Sequence, residues 1–222
     1  MTTTDQQIEA LKKYPTALVT DALRRLGIRG AWAGGVVPVA PRGTKMIGRA
    51  ATLKYVEKNA APKKVPGQFD IICDCKPGDV LVYAACGVSA WLIGANVVQL
   101  STAKKLAGII VDGCSRDLEE LADLPLPVFC RGGSASPYAY LIQPEAVNVE
   151  VEFAGIKIKP GDVILGDSDG LVVIPPERVA DVIFQLEDLQ VVEDALAASI
   201  ARGDTLQQIN AIASKKGVLR SK

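Results

Sequence analysis

The apolar positions of this chain gather into short unbroken runs, with helical spacing between them. Val80–Cys86 and Gly108–Asp112 are two such runs. A strand apolar at nearly every position is buried on both faces, as in a helix-covered sheet. Between them Leu92, Ile93, Val97, Val98, Leu100 and Ala103 recur at helical spacing. That pattern predicts a helix starting near Ala95, with Gly94 letting backbone approach a ligand closely. Strand, helix and strand over 80–86, 95–106 and 108–112 make a parallel βαβ unit.

The rest of the pattern is read the same way. Ile8 and Leu11 predict a short opening helix. A second helix follows, with Thr20 as its N-cap, Asp21 in its first turn and Gly27 at its end. Residues 28–48 read as loop with short strands, Arg49–Val56 as a strand and Glu57–Gly67 as a mobile loop. Phe69–Cys75 reads as a short helix. Lys76-Pro-Gly-Asp79 and Lys159-Pro-Gly-Asp162 are two copies of one turn. Ser115 is the expected N-cap of a helix over Arg116–Leu121. Val128–Arg131 is a strand and Gly132–Tyr140 a loop. Val147–Phe153, Ile156–Ile158, Val163–Gly166 and Leu171–Ile174 form an antiparallel or mixed sheet. Pro175-Pro176 open a long helix, Glu177–Ala201, ended by Gly203. Its apolar face is Val179, Val182, Ile183, Leu186, Leu189 and Val192, and its length suits projection over a neighbouring subunit. Ala211–Lys222 reads as a short helix and a frayed tail.

Composition narrows the chemistry. The 222 residues, 49% apolar, suit an ordinary globule. Lys and Arg number 25 and Asp and Glu 25, so bulk charge gives no case for nucleic acid or an anionic membrane. No apolar run approaches the roughly 18 residues of a membrane helix. The N-terminal segment lacks the regions of a signal peptide, so a cytoplasmic location is expected. Five cysteines, an odd number mostly in apolar contexts, suit reduced thiols. There is no histidine, which removes Ser–His and Cys–His nucleophilic schemes and His-bound zinc. Acid–base work falls to carboxylates, Lys, Tyr, Cys or metal-bound water. A metal would be held by oxygen, which favours Mg²⁺ or Mn²⁺.

The charged pair Arg116-Asp117 is the focus of this chemistry. It follows Asp112-Gly113 at the carboxyl end of a strand, where ligands bind in open α/β sheets. The βαβ connection puts the amino end of the 95–106 helix beside it. Free helix N–H groups and a guanidinium make a carboxylate or phosphate site. The joint reading is a 2-oxo acid held by Arg116 and helix N–H groups, chelating a divalent ion on Asp117. Such an arrangement stabilises an enolate and serves C–C cleavage or decarboxylation.

Gly94, Arg116-Asp117 and Glu120 with the Val-Asp-Gly lead-in resemble the RraA-like family. So do the Val-Thr-Asp-Ala-Leu segment, the Pro-Gly-Asp turns and the Asp-Gly-Leu-Val-Val-Ile-Pro strand. That family includes class II 4-hydroxy-4-methyl-2-oxoglutarate/4-carboxy-4-hydroxy-2-oxoadipate aldolases and the regulator of ribonuclease activity A. The resemblance implies one domain over 1–222, core about 16–203, with an α/β swivelling fold: a central β sandwich flanked by helices. It implies homotrimers or hexamers with sites between subunits. Carried over, Arg116 binds substrate and stabilises the enolate, and Asp117 ligates Mg²⁺ or Mn²⁺. Gly94 with the N–H groups of Asn96 and Val97 receives the pyruvyl carboxylate, while Asp21 and Glu193 reach in from a neighbouring subunit. The aldolases carry an acidic residue after this glycine, where this chain has Ala95. The ribonuclease regulator lacks the metal-binding Asp kept here as Asp117. The function implied is a metal-dependent lyase of a 2-oxo acid; the alternative is a non-catalytic interaction protein.

Overall fold

A computed structural model describes residues 4–40, 43, 45–58, 61 and 63–221. It opens with helices α1 (Asp5–Leu11) and α2 (Thr16–Arg25). Strands β1 (Trp32–Ala33), β2 (Val37–Ala40) and the long β3 (Met46–Glu57) follow. Next come α3 (Gln68–Asp74), β4 (Asp79–Ala84), β5 (Trp91–Ile93) and α4 (Ala95–Ala103). After them lie β6 (Gly108–Val111), β7 (Cys114–Ser115), α5 (Leu118–Ala122) and β8 (Val128–Cys130). The second half adds β9 (Ile142–Val147), the hairpin β10 (Val151–Phe153) and β11 (Ile156–Ile158), and β12 (Val163–Asp167) with β13 (Gly170–Ile174). Helices α6 (Val179–Arg202) and α7 (Leu206–Ala213) come last. Positions 41, 42 and 44 of the expected 28–48 loop, 59, 60 and 62 of the 57–67 loop, residues 1–3 and Lys222 lie outside the described residues.

The main sheet runs β1-β13-β12-β3-β4-β6-β8-β2, with β9 also on β3. Its centre, β3-β4-β6-β8, is parallel. The flanking pairs are antiparallel. The expected βαβ unit is present as β4, α4 and β6, with β4 and β6 parallel neighbours.

Period-two alternation sorts the side chains into layers. Leu81, Tyr83, Ile109 and Val111 face one side, against Ile71, Ile72, Val97 and Val98 of α3 and α4. Val80, Val82, Ala84 and Ile110 face the other, with Phe129, Phe153 and Ile164. Further along, Val163, Leu165, Val172 and Ile174 meet Leu18, Val19, Leu23, Val182, Leu186 and Leu189 of α2 and α6. Each fully buried side chain of this kind contributes about 1.5–3 kcal/mol. The sheet curls: a Cβ added at Gly166 on β12 would lie 2.7 Å from Phe129 on β8, although three strands separate them in the sheet. The result is the expected α/β architecture, a curled β layer flanked by helices with a long C-terminal helix. Among the described residues no helix is long and apolar enough to cross a membrane.

Helix α2 starts at Thr16, four residues before the expected N-cap Thr20. Pro15 precedes it, and the side chain of Asp167 serves the cap from across the chain. Thr16 N donates to Asp167 Oδ2 at 2.8 Å and Thr16 Oγ1 to Oδ1 at 2.6 Å. Thr20 turns inward along the helix, its hydroxyl donating to Thr16 O at 2.9 Å, so Asp21 sits mid-helix. The strand expected over Val147–Phe153 is divided. β9 ends at Val147, Asn148 takes φ 54° and β10 begins at Val151. The two Lys-Pro-Gly-Asp turns share one geometry. Lys76 N donates to Asp79 Oδ2 at 2.8 Å and Lys159 N to Asp162 Oδ2 at 2.7 Å. All five cysteines are free thiols.

Candidate active site

The site is assembled where β7 pairs in parallel with β5, with Trp91 opposite Cys114 and Ile93 opposite Ser115. Ser115 Oγ donates to Ile93 O at 3.1 Å, and Arg116 N donates to the same oxygen at 3.0 Å. These bonds bring Gly94 and Arg116 face to face. They also correct the expected role of Ser115. Its hydroxyl is engaged in this cross-link, and α5 starts later, at Leu118, with Asp117 as its N-cap residue.

Asp117 adopts the left-handed conformation, φ 59° and ψ 36°, which costs a non-glycine residue roughly 1–2 kcal/mol. That turn directs its carboxylate back to the amino end of α4, where Oδ2 accepts the Ala95 N–H at 3.1 Å. An anion there complements the helix dipole. Gly94 makes the approach possible. A Cβ at that position would lie 2.4 Å from Asp117 Oδ2 and 3.0 Å from Arg116 Nε.

Arg116 stacks on the Trp91 indole, its Cζ 4.2 Å from the ring centroid, a cation–π contact. Its Nε lies 3.5 Å from Asp117 Oδ2. Among the described residues Arg116 has no other ion pair. Its half-exposed guanidinium therefore has N–H groups available to a ligand. Asn96 lies in the first turn of α4, whose N–H groups have no partner within the helix. Val97 N donates to Gly94 O at 3.1 Å, so that N–H is already partly engaged. Gln99 Nε2 donates to Glu120 Oε1 at 3.1 Å and ties α4 to α5. Behind Trp91 an aromatic row continues through Tyr138, Tyr55 and Tyr83. Burial pushes the Tyr55 and Tyr83 phenols far above their ordinary range, so both stay protonated at neutral pH.

Gly94, Asn96, Val97, Arg116 and Asp117 are thus brought together at the α4 amino end. Asp21 and Glu193 stand on α2 and α6, the helical layer over β12 and β13. Lys216 lies between them. Its Nζ is 3.6 Å from Asp21 Oδ2 and bonds Glu193 Oε1 directly. The Glu193 hydrogen bond raises the Lys216 pKa. Asp21 also pairs with Arg24 at 3.3 Å.

The donor set for an ion is a single carboxylate, Asp117, with a methyl group at Ala95. Among the described residues no three His, Cys, Asp or Glu side chains are grouped to hold a metal. Mg²⁺ is commonly held by one or two carboxylates, with water and substrate oxygens completing its shell. The residues fit such an open site and do not form a closed cage. Trp91 escaped the sequence reading, although a Trp three residues before the glycine, in a chain with only two, was a signal. Nothing in the pattern pointed to Lys216.

Fold and site define the class: the chain belongs to the RraA-like family, whose model, described as Aldolase/RraA, matches residues 16–173. Among its relatives, a 4-hydroxy-4-methyl-2-oxoglutarate aldolase of Thermus thermophilus is 31% identical over 132 residues, 59% of this chain and 76% of that one. Protein DlpA of Legionella pneumophila is 26% identical over 204 residues. That match takes in 90% of this chain and 32% of DlpA, so the chain spans about a third of that protein's length. Among solved structures, Streptomyces coelicolor RraAS2 superposes with a TM-score of 0.79 at 27% identity, covering 87% of this chain and 96% of that chain. RraAS2 is described as an unusual member of the RNase ES inhibitor RraA family.

Proposed function

We propose that the protein is a lyase that breaks a carbon–carbon bond of a 2-oxo acid, by retro-aldol cleavage or decarboxylation, through a pyruvate-type enolate. One observation carries this reading. Arg116 and Asp117 meet the amino end of α4 at a glycine that leaves no room for a side chain. The similarity to a 4-hydroxy-4-methyl-2-oxoglutarate aldolase supports it. The substrate carboxylate lies at the first turn of α4, by Asn96 and Val97, where N–H donors and the helix dipole favour an anion. Arg116, held over the Trp91 ring, faces the oxygen that gains charge as the enolate forms. Asp117 would hold Mg²⁺ or Mn²⁺, which supplies Lewis acidity to the 2-oxo carbonyl when bound. In the retro-aldol direction a proton leaves the C4 hydroxyl and the C3–C4 bond breaks. The electron pair passes into the enolate, and a proton returns at C3. Asp21 and Glu193 of a neighbouring subunit are the carboxylates assigned to those protons, in a homotrimer or hexamer.

Purified protein with Mg²⁺ or Mn²⁺ should release pyruvate from 4-hydroxy-4-methyl-2-oxoglutarate or oxaloacetate. EDTA should abolish the release. Activity indifferent to chelator, or unchanged in Arg116→Ala, would overturn the proposal.

A second reading, a non-catalytic interaction protein, is favoured by two observations. Ala95 offers a methyl group where the aldolases carry an acid, and the Asp117 carboxylate is already engaged by Ala95 N–H and Arg116. Stoichiometric, metal-independent capture of a purified ribonuclease, with no pyruvate released, would select it.

A further inference from the structure

A separate cavity of about 440 Å³ opens at the carboxyl ends of β4, β6 and β8, bordered by Lys54, Cys86, Asp112, Arg131 and Glu152 and by the Ala154-Gly155 turn. Its size is that of a small-molecule site. Its polar centre is Arg131. The buried Asp112 takes Arg131 Nε at 2.7 Å and Nη2 at 2.6 Å on Oδ1, and Ala154 N at 3.2 Å on Oδ2. The guanidinium is thus held from one side, and its end edge remains for a second acceptor. Gly35 and Gly87, both at positive φ, give it room. A Cβ at Gly35 would lie 3.2 Å from Arg131 Nη1, and one at Gly87 3.8 Å from Nε. A guanidinium fixed in this way is a preformed receptor for a carboxylate. Lys54, on the same cavity wall, adds a second cation; its own partner is Glu145 at 2.8 Å.

Cys86 also borders a neighbouring depression, with Val88, Tyr140 and Leu141 and with the charged Glu57 and Lys58. Tyr140 is 80% and Leu141 48% exposed, so apolar surface waits at this end. The charged and apolar ends join at Cys86. Neither depression is bordered by Gly94, Arg116 or Asp117.

We propose that this groove binds a small organic acid with an apolar or aromatic tail, its carboxylate on Arg131 and Lys54 and its tail across Cys86 toward Tyr140 and Leu141. The site is independent of the lyase reading.

Cys86 is exposed and serves as a reporter, with exposed Cys73 on α3 as internal reference. The full chain is treated with iodoacetamide, with and without benzoate, and alkylation is followed at each cysteine by peptide mass spectrometry. At about ten times its Kd, benzoate should slow alkylation of Cys86 about tenfold by mass action, leaving Cys73 unchanged. Arg116→Ala should keep this protection. Lys54→Gln and Leu141→Ser should each weaken it; both positions are solvent-accessible, so folding is spared. Arg131 is left intact, because its loss strands Asp112 in the interior. The proposal is overturned by no protection, by equal protection of Cys73, or by loss of protection in Arg116→Ala. Full protection in both Lys54→Gln and Leu141→Ser would also overturn it. Inorganic phosphate protecting as well as benzoate would reduce the groove to a bare anion site and overturn the part assigned to the tail.

Discussion

Two arginine–aspartate pairs lie just beyond the carboxyl ends of β6, β7 and β8 and are built in opposite ways. Asp112 directly follows β6, keeps 7% of its side chain exposed and meets Arg131 at 2.6 Å. Arg116 and Asp117 stand 3.5 Å apart, with 49% and 37% of their side chains exposed. The first pair ties the end of β6 to the end of β8 and, through Ala154, to the β10–β11 turn. The second touches the start of α4 and an indole ring. Exposed pairs add little to stability, whereas losing one member of a buried pair leaves an uncompensated charge in the interior. The same two side-chain types therefore serve as a joint in one place and as available chemistry in the other.

The largest effect should come from the joint. Arg131→Ala strands the Asp112 carboxylate in the interior and should lower unfolding stability by about 3–5 kcal/mol, read as a shift in the urea midpoint. A loss below about 1 kcal/mol would mean that the pair is not a joint. Next comes Arg116→Ala, with pyruvate release down about 10²–10³-fold and stability within about 0.5 kcal/mol of the parent. Equal destabilisation by both substitutions would erase the contrast. Gly94→Ala places a methyl group against Asp117 Oδ2 and should cost about 1–3 kcal/mol. Faster amide exchange at the first turn of α4 should accompany it; an unchanged exchange pattern there would show that the close approach is dispensable.

The smallest effect concerns a buried carboxylate with no guanidinium. Asp162 accepts the Lys159 N–H, and burial holds its pKa above the ordinary carboxylate value. The folded state therefore favours the protonated form. Its contribution to stability is complete below the unfolded pKa and is lost as pH rises through the raised folded value. Asp162→Asn keeps an acceptor oxygen and cannot titrate, so its stability should fall less than the parent's from about pH 4 to 7. Parallel profiles would contradict this sign.

The parallel unit β4-α4-β6 and the juxtaposition of Gly94 with Arg116-Asp117 were legible because they depend on local pattern and a short connection. The start of α2 was not, because its cap is Asp167, 151 residues away from Thr16. Ser115 looked like a cap because its type and spacing suit one, but β5–β7 pairing claims its hydroxyl. The strand at 142–147 was hidden by Pro144 and by polar residues at an edge. The buried status of Asp112 and the nearness of Lys216 to Asp21 and Glu193 depend on tertiary packing, which no run of neighbouring residues encodes.

The left-handed turn at Asp117 has a thermodynamic consequence. Its carboxylate caps α4 through Oδ2, a contact worth about 1 kcal/mol, so a cation that draws Oδ2 away must compete with that contact, at about fivefold lower affinity. Once the carboxylate swings away, the Ala95 N–H is released beside the place proposed for the substrate's own carboxylate. On the proposed reading, cation and substrate would then bind as linked events, each raising the other's affinity by the same factor.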